Sequence, residues 1–225
     1  MNRINIAIDG FSGCGKSTLA RDLAKALQYK LVDTGAMFRA VTWFVLKENV
    51  SAGDFLHTQP VIDVDPASGG VVLNGQLLVD ELRSPEVAQL VSDVAAQPTV
   101  RSYLLDIQQR LAEHKGVIME GRDIGTVVLP FAELKLFITA RLDERVNRRY
   151  LQLLEMGIET SRQQVEENLK ERDFKDTTRK IAPLSKAADA IAIDTSNFTR
   201  DEQLKVALSL AHPLIHPDEL LPGLS

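Results

Sequence analysis

The sequence predicts an α/β protein in which a mostly parallel sheet is flanked by helices. Three observations point there. A continuous, β-branched run, "RINIAI", leads into a glycine-rich loop and then into an amphipathic helical stretch. Short apolar runs and helical stretches then alternate along most of the chain. One segment, near 60–80, has a period of two and interrupts that alternation.

Taken in order, residues 3–8 read as a buried parallel strand. In "KSTLARDLAKALQ", Leu19, Leu23 and Leu27 recur every four residues and mark a helix face. "YKLVDTG" reads as a second short strand and "AMFRAVTWFVLKE" as a helix. "VIDVDPASGGVVLNGQLLVDELR" alternates apolar and polar residues around an Asn74-Gly75 turn signal. It predicts a small antiparallel β unit inserted into the α/β pattern. Ser84-Pro85 starts a helix, and Pro98 begins or bends another that runs to about His114. "GVIME", "KLFITA" and "AIAID" are three short buried strands, the last two separated by a charged helical stretch over 143–175. The tail, "HPLIHPDELLPGLS", holds three prolines and predicts irregular, loosely packed chain.

Length and composition set bounds. With 225 residues, 44% hydrophobic and 25% charged, the chain suits one domain with an insertion. A formal net charge of −5 gives no basic footprint for nucleic acid, and none is expected as a partner. One cysteine, Cys14, allows no intramolecular disulfide. No apolar run reaches the roughly 18 residues of a membrane span, so no membrane is expected as a partner. The start is not a signal peptide, because cleavage there would destroy the loop. A cytoplasmic monomer is the expectation.

The loop "DGFSGCGKST" carries the first chemistry. Gly10, Gly15, Lys16 and Ser17 fit G-x-x-x-x-G-K-[ST] between a predicted strand and a predicted helix, so the core is of the P-loop NTPase type. Small residues let the N–H groups of Gly10, Phe11, Ser12, Gly13, Cys14, Gly15, Lys16, Ser17 and Thr18 turn toward phosphate oxygens. Lys16 would reach the outer phosphates of ATP, and the Ser17 hydroxyl would face magnesium. Cys14 reads as a small residue the loop tolerates, although a helix N-terminus could also activate its thiol. Asp33, at the end of the second strand, has two readings of equal weight: holding a magnesium-bound water or capping the next helix.

What receives the phosphate is decided downstream. The chain has no "NKxD" guanine reader and no "LSGGQ"-like signature. A switch or motor has no use for a second anion site, whereas a kinase must neutralise both donor and acceptor. Arg39, Arg101, Arg122, Arg145, Arg148, Arg149, Arg172 and Arg179 are spread over the chain, several at predicted strand ends where open sheets place ligands. The planar fork of arginine suits phosphate. The four histidines fall outside these motifs and read as surface residues, neither a metal cluster nor a general base.

"DGFSGCGKST", "DTGAMFR", "EGRDIGTVVLP", "KLFITA", "KERDFKDTTRKIAPL" and "ADAIAIDTS" occur in this order. Together they resemble bacterial-type cytidylate kinases, which are nucleoside monophosphate kinases, over about residues 4–197. The resemblance implies transfer of the ATP γ-phosphate to CMP or dCMP, with magnesium. It implies that Arg39, Arg122 and Arg179 hold the acceptor phosphate, and that Ser92, Arg101 and Asp123 read the cytosine. It also implies that Thr34 faces the nucleotide and that Arg172 and Asp176 lie near the sugar. Arg148 and Arg149 would clamp donor phosphates. Lys16, Arg122, Arg179 and Asp33 would form the catalytic set. Without the resemblance, Asp123 would read as an ion pair with Arg122 or a turn cap.

The division implied is a core of 1–33, 94–145 and 175–225, a monophosphate-binding region of 34–93 that holds the insertion, and a helical lid of 146–174. The charged helices have a plainer reading, a solvated hairpin with ion pairs, but arginines at both ends favour the lid. Two positions depart from the family's usual pattern: Phe11 stands in place of proline and Thr34 in place of serine.

Overall fold

The computed structural model describes residues 2–58, 60–65 and 68–220. Five parallel strands form the central sheet: β1 (Asn5–Gly10), β2 (Lys30–Asp33), β6 (Val117–Glu120), β7 (Leu134–Thr139) and β8 (Ile191–Asp194). Their order is β2-β6-β1-β7-β8, so the loop-bearing strand lies in the middle. Alternation along the strands sorts the two faces. Ile6 and Ile8 point to one side, where α1 (Lys16–Leu27) and α7 (Arg200–Ile215) bury Leu19, Leu23, Ala207 and Ala211. Ala7 points to the other. There α2 (Thr34–Glu48) and α4 (Pro98–Ala112) pack, with α3 (Pro85–Ala95) against α2.

The inserted β unit is β3 (Ile62–Val64), β4 (Val71–Leu73) and β5 (Gln76–Leu78), antiparallel throughout. Asn74 and Gly75 both take positive φ, 49° and 81°, as a two-residue hairpin turn needs. Ser84 caps α3 by accepting the Val87 N–H at 3.3 Å, with Pro85 in the first turn. The charged stretch is a pair of helices, α5 (Leu142–Glu155) and α6 (Arg162–Thr178), with Gly157 at φ 73° between them. A small apolar cluster of their own, Val146, Val165 and Leu169, holds the pair together. Among the described residues no helix is long and apolar enough to cross a membrane.

Two expectations from the sequence are corrected. The "AIAID" strand is not buried. It is one edge of the sheet, and only Ile193 of β8 is covered. The start of the tail is not irregular, because α7 runs through Pro213 to Ile215. Ala207, Ala211 and Ile215, four apart, are all buried and hold the last turn against the sheet despite the missing N–H. Asn2 also donates to the Ile215 carbonyl at 2.8 Å. The tail beyond 220 lies outside the described residues.

Asp9, near the end of β1, does structural work that the sequence did not announce. Its carboxylate accepts the Ile124 N–H at 2.8 Å and the Gly125 N–H at 2.7 Å. These bonds anchor a single wide turn over Ile124–Val128, closed by a Leu129 N–H to Ile124 carbonyl bond at 2.6 Å. Burial pushes the Asp9 pKa up to about 6, against those two N–H bonds. A carboxyl raised in the folded state stabilises most below its unfolded pKa, 3.8, and loses that contribution as pH rises through about 6. Asp9→Asn has no such titration. The stability lead of the parent over this variant is therefore expected to shrink by about 2 kcal/mol between pH 4.5 and 7.5. Urea denaturation at both pH values checks this; a lead that stays constant would contradict it.

Candidate active site

The C-terminal ends of β1, β2 and β6 converge at the glycine loop, where an open sheet leaves its crevice. Gly13 and Gly15 take φ of 75° and 95°, which turns the loop tightly before α1. No side chain caps α1, so its first N–H groups remain available to an anion. Lys16 is buried, and its Nζ donates to the Phe11 carbonyl at 2.7 Å. Burial first, then the Arg122 guanidinium, hold its pKa below the usual lysine value. The Cys14 side chain is buried, with Sγ 3.0 Å from the Phe11 carbonyl. Phe11 packs edge-on against Phe137, ring centroids 6.0 Å apart, so an aromatic contact holds this side of the loop.

Opposite the loop lies an arginine–aspartate network. Arg122 donates from Nε to Asp176 at 2.7 Å and from Nη2 to the Ser12 hydroxyl at 2.9 Å. Burial works most strongly against its charge, but Asp176, with Cys14 and Glu120 adding to it, brings the Arg122 pKa above the usual value. Asp123 is gripped by two arginines: Arg101 on Oδ2 and Arg179, at 3.1 Å, on Oδ1. Neither plain reading of Asp123, a pair with Arg122 or a turn cap, is what the geometry shows. Arg101 also donates to the Ala95 carbonyl at 3.1 Å, tying the end of α3 to the site.

Arg172 is unlike its neighbours. Its Nε is buried without a hydrogen-bond partner. Burial, then the nearby Arg122, bring its pKa down to about 10, with Arg149 and Arg39 adding to the effect. Three other guanidinium groups are therefore close enough to repel that of Arg172, a costly arrangement that an anion relieves. Burial and Arg39 also lower the Arg149 pKa. The two α5 arginines thus separate. Arg149 lies with Arg39 and Arg172, whereas Arg148 bonds the loop side, at 3.4 Å to the Cys14 carbonyl and 2.6 Å to that of Thr195.

Asp33 caps α2, accepting the Ala36 N–H at 2.8 Å, and pairs with Arg39 at 3.0 Å. Thr34 is buried and donates to the Glu120 carbonyl at 2.7 Å. Ser92 is half-buried on α3, beside Asp93, which meets Lys175 of α6 at 3.3 Å. Thr18 is half-buried and Ser17 exposed at the start of α1.

Glu120, which sequence reasoning passed over, stands in register with Asp33 on the neighbouring strand. Burial, then Asp33, push its pKa up to about 7. The Ser17 hydroxyl lies against it. Among the described residues no three carboxylates, histidines or cysteines are arranged to hold a metal alone. An exposed hydroxyl beside two carboxylates is nevertheless an all-oxygen donor set, which suits a magnesium ion that arrives on nucleotide phosphates. Asp9, Asp173 and Thr195 were also missed as site residues, and Arg145, singled out with the other arginines, was given no role of its own. Asp9 alone had a local signal, its place between the strand and Gly10.

Comparison with known proteins identifies the family. A protein-family model for cytidylate kinase matches residues 6–213. A cytidylate kinase from Caldicellulosiruptor saccharolyticus is 46% identical over 222 residues, covering 96% of this chain and 98% of that protein. One from Bacteroides fragilis is 43% identical, covering 90% and 94%. A third, from Flavobacterium johnsoniae, is 42% identical, covering 97% and 100%. A family match over residues 6–213, with relatives 42–46% identical over nearly the whole chain, means that the chain belongs to the cytidylate kinase family.

Proposed function

We propose that this protein transfers the γ-phosphate of ATP to CMP or dCMP, giving ADP and CDP or dCDP. The observation that carries the reading is the single hydrogen bond from Arg122 to Ser12, 2.9 Å long. It joins two anion-binding centres, one built from the glycine loop and Lys16, the other from arginines. A two-substrate phosphoryl transfer needs that arrangement, since its catalysis is mostly positioning and charge neutralisation.

In this reading Lys16 and the loop N–H groups hold the ATP phosphates, with Arg148 on the same side; the Ser12 N–H is the exception, because Asp173 takes it at 3.1 Å. Lys16 leaves the Phe11 carbonyl to reach the phosphates. Arg39, Arg122 and Arg179 hold the CMP phosphate, and Arg149 and Arg172 add positive charge around the group in transit. The acceptor oxygen is already ionised, so no general base is required. Magnesium, bound with ATP and held by Ser17 with Asp33 and Glu120 nearby, would neutralise charge on the donor phosphates. The helices over 146–174 act as a lid that excludes water, and 34–93 as the monophosphate-binding region.

Asp123, with Arg101 and Ser92, reads the base. Cytosine presents an amine where uracil presents a carbonyl, and a carboxylate accepts from the first and repels the second. Its two arginines leave lone pairs free, since a carboxylate has about four acceptor sites. Asp123→Asn is expected to reduce the CMP-over-UMP preference in kcat/KM by about tenfold or more. Kinetics with both acceptors measure it, and an unchanged ratio would remove Asp123 from base reading.

A further inference from the structure

The α5–α6 hairpin grips the phosphate loop at one residue, Ser12. Asp173 of α6 accepts the Ser12 N–H on Oδ1 at 3.1 Å. Arg145 of α5 donates to the Ser12 carbonyl at 3.1 Å and to Asp173 Oδ2 at 2.5 Å. One carboxylate and one guanidinium thus hold both backbone polar groups of Ser12 and also each other. The Ser12 hydroxyl then accepts from Arg122 at 2.9 Å. Water competes little here: Ser12 is 3% exposed and Arg145 8%. Charge-assisted bonds are strong and directional in such surroundings.

The fit around this ring is close. A Cβ on Gly13 would lie 3.3 Å from the Arg145 carbonyl oxygen. On its other side the Arg145 guanidinium sits 5.4 Å from the centroid of the Phe11 ring. The remaining bonds of Arg122 go to Asp176 and to its own neighbour, the Gly121 carbonyl at 3.1 Å. Among the hydrogen bonds described, Ser12 is its link to the donor loop.

We infer that Asp173 and Arg145 are positioning residues for the transfer. Their ion pair fixes the Ser12 peptide, and the Ser12 hydroxyl fixes Arg122, so the α5–α6 hairpin sets the acceptor-side guanidinium against the donor loop. The inference rests on the proposed role of Arg122 at the acceptor phosphate. In-line transfer tolerates little displacement: a shift of about 1 Å can cost on the order of 10²-fold in rate. Slackening the grip should therefore lower kcat with little change in KM.

The test is a double-mutant cycle on Asp173→Asn and Ser12→Ala. Asparagine keeps an oxygen for the Ser12 N–H but loses the charge that holds Arg145. Turnover is measured with ATP and CMP saturating and is normalised to ADP-binding sites counted by calorimetry. Each single variant is expected to lose about tenfold or more in kcat, with KM for CMP within about threefold of the parent. The double variant is expected to lie within about threefold of the worse single, because both changes act through one hydroxyl.

Losses that multiply, or an Asp173→Asn enzyme within twofold of the parent, would overturn the inference. If Asp173→Asn shows no ADP sites, Arg145→Lys takes its place in the cycle with the same criteria. A parent enzyme inactive on CMP would fail the proposed function itself, whereas an active parent with multiplying losses would fail only the positioning role.

Discussion

Arg122→Ala is expected to lower turnover by at least about 10³-fold, the scale on which arginines that neutralise a transferring phosphoryl group act, while ATP affinity changes little. Arg122 carries three of the site's connections, to Asp176, to Ser12 and to the Gly121 carbonyl, and burial strengthens its field. Its bond to the loop goes to the Ser12 hydroxyl, and Asp173 takes the Ser12 N–H, so Arg122 touches none of the remaining loop N–H groups proposed to hold the donor phosphates. Removing it also leaves Asp176 short of a partner, although Arg179 remains at 3.6 Å. Some loss of stability will accompany the loss of rate, so activity must be expressed per ATP-binding site. Calorimetry with ADP and a coupled assay with CMP separate the two effects. A variant that turns over normally but binds ATP poorly would move Arg122 to the donor side.

The largest effect on stability is expected at Gly10. Its φ is 146°, and a Cβ there would sit 2.0 Å from the Ile138 carbonyl oxygen. That oxygen belongs to the adjacent strand β7, whose pairing with β1 includes Gly10 opposite Ile138. The clash is therefore with backbone, which cannot step aside without opening the sheet. Gly10→Ala is expected to destabilise by about 4 kcal/mol or more, a drop of roughly 10 °C in Tm for a chain of this size. Gly75→Ala is the control. Its φ of 81° is also positive, but nothing lies within 4 Å of the added Cβ. Only the backbone strain of about 1–2 kcal/mol remains there. Thermal denaturation of both variants checks the pair, and equal losses would show that the approach of Ile138 is not what Gly10 accommodates.

The fold was legible wherever its signal was local. The glycine loop is one contiguous motif between a strand and a helix, and Asn74-Gly75 is a two-residue turn. Apolar periodicity located the strands but not their place in the sheet. "AIAID" is as apolar as a central strand, yet β8 is an edge, because strand order depends on the whole topology. Pro213 misled for a related reason: tertiary burial of Ala211 and Ile215 overrode the local helix-breaking rule.

At the site, arginines in quoted motifs could be singled out, but their partners could not. Asp123 stands next to Arg122 in sequence and pairs instead with Arg101 and Arg179, 22 and 56 residues away. The Arg145–Asp173 grip on Ser12 spans three elements and leaves no local pattern. Glu120 was visible as a residue but not as a buried neighbour of Asp33, because strand register is a property of the folded sheet.

The central claim is that the arginine network receives a cytidine monophosphate. One coupled assay tests it most directly: ATP with CMP, dCMP, UMP, AMP and GMP, each as the sole acceptor. Rapid ADP formation with CMP and dCMP, well above the rate with the other three, is the result this account predicts. Equal rates with UMP, AMP or GMP would contradict the base assignment, and ATP binding without diphosphate formation from any acceptor would contradict the kinase itself.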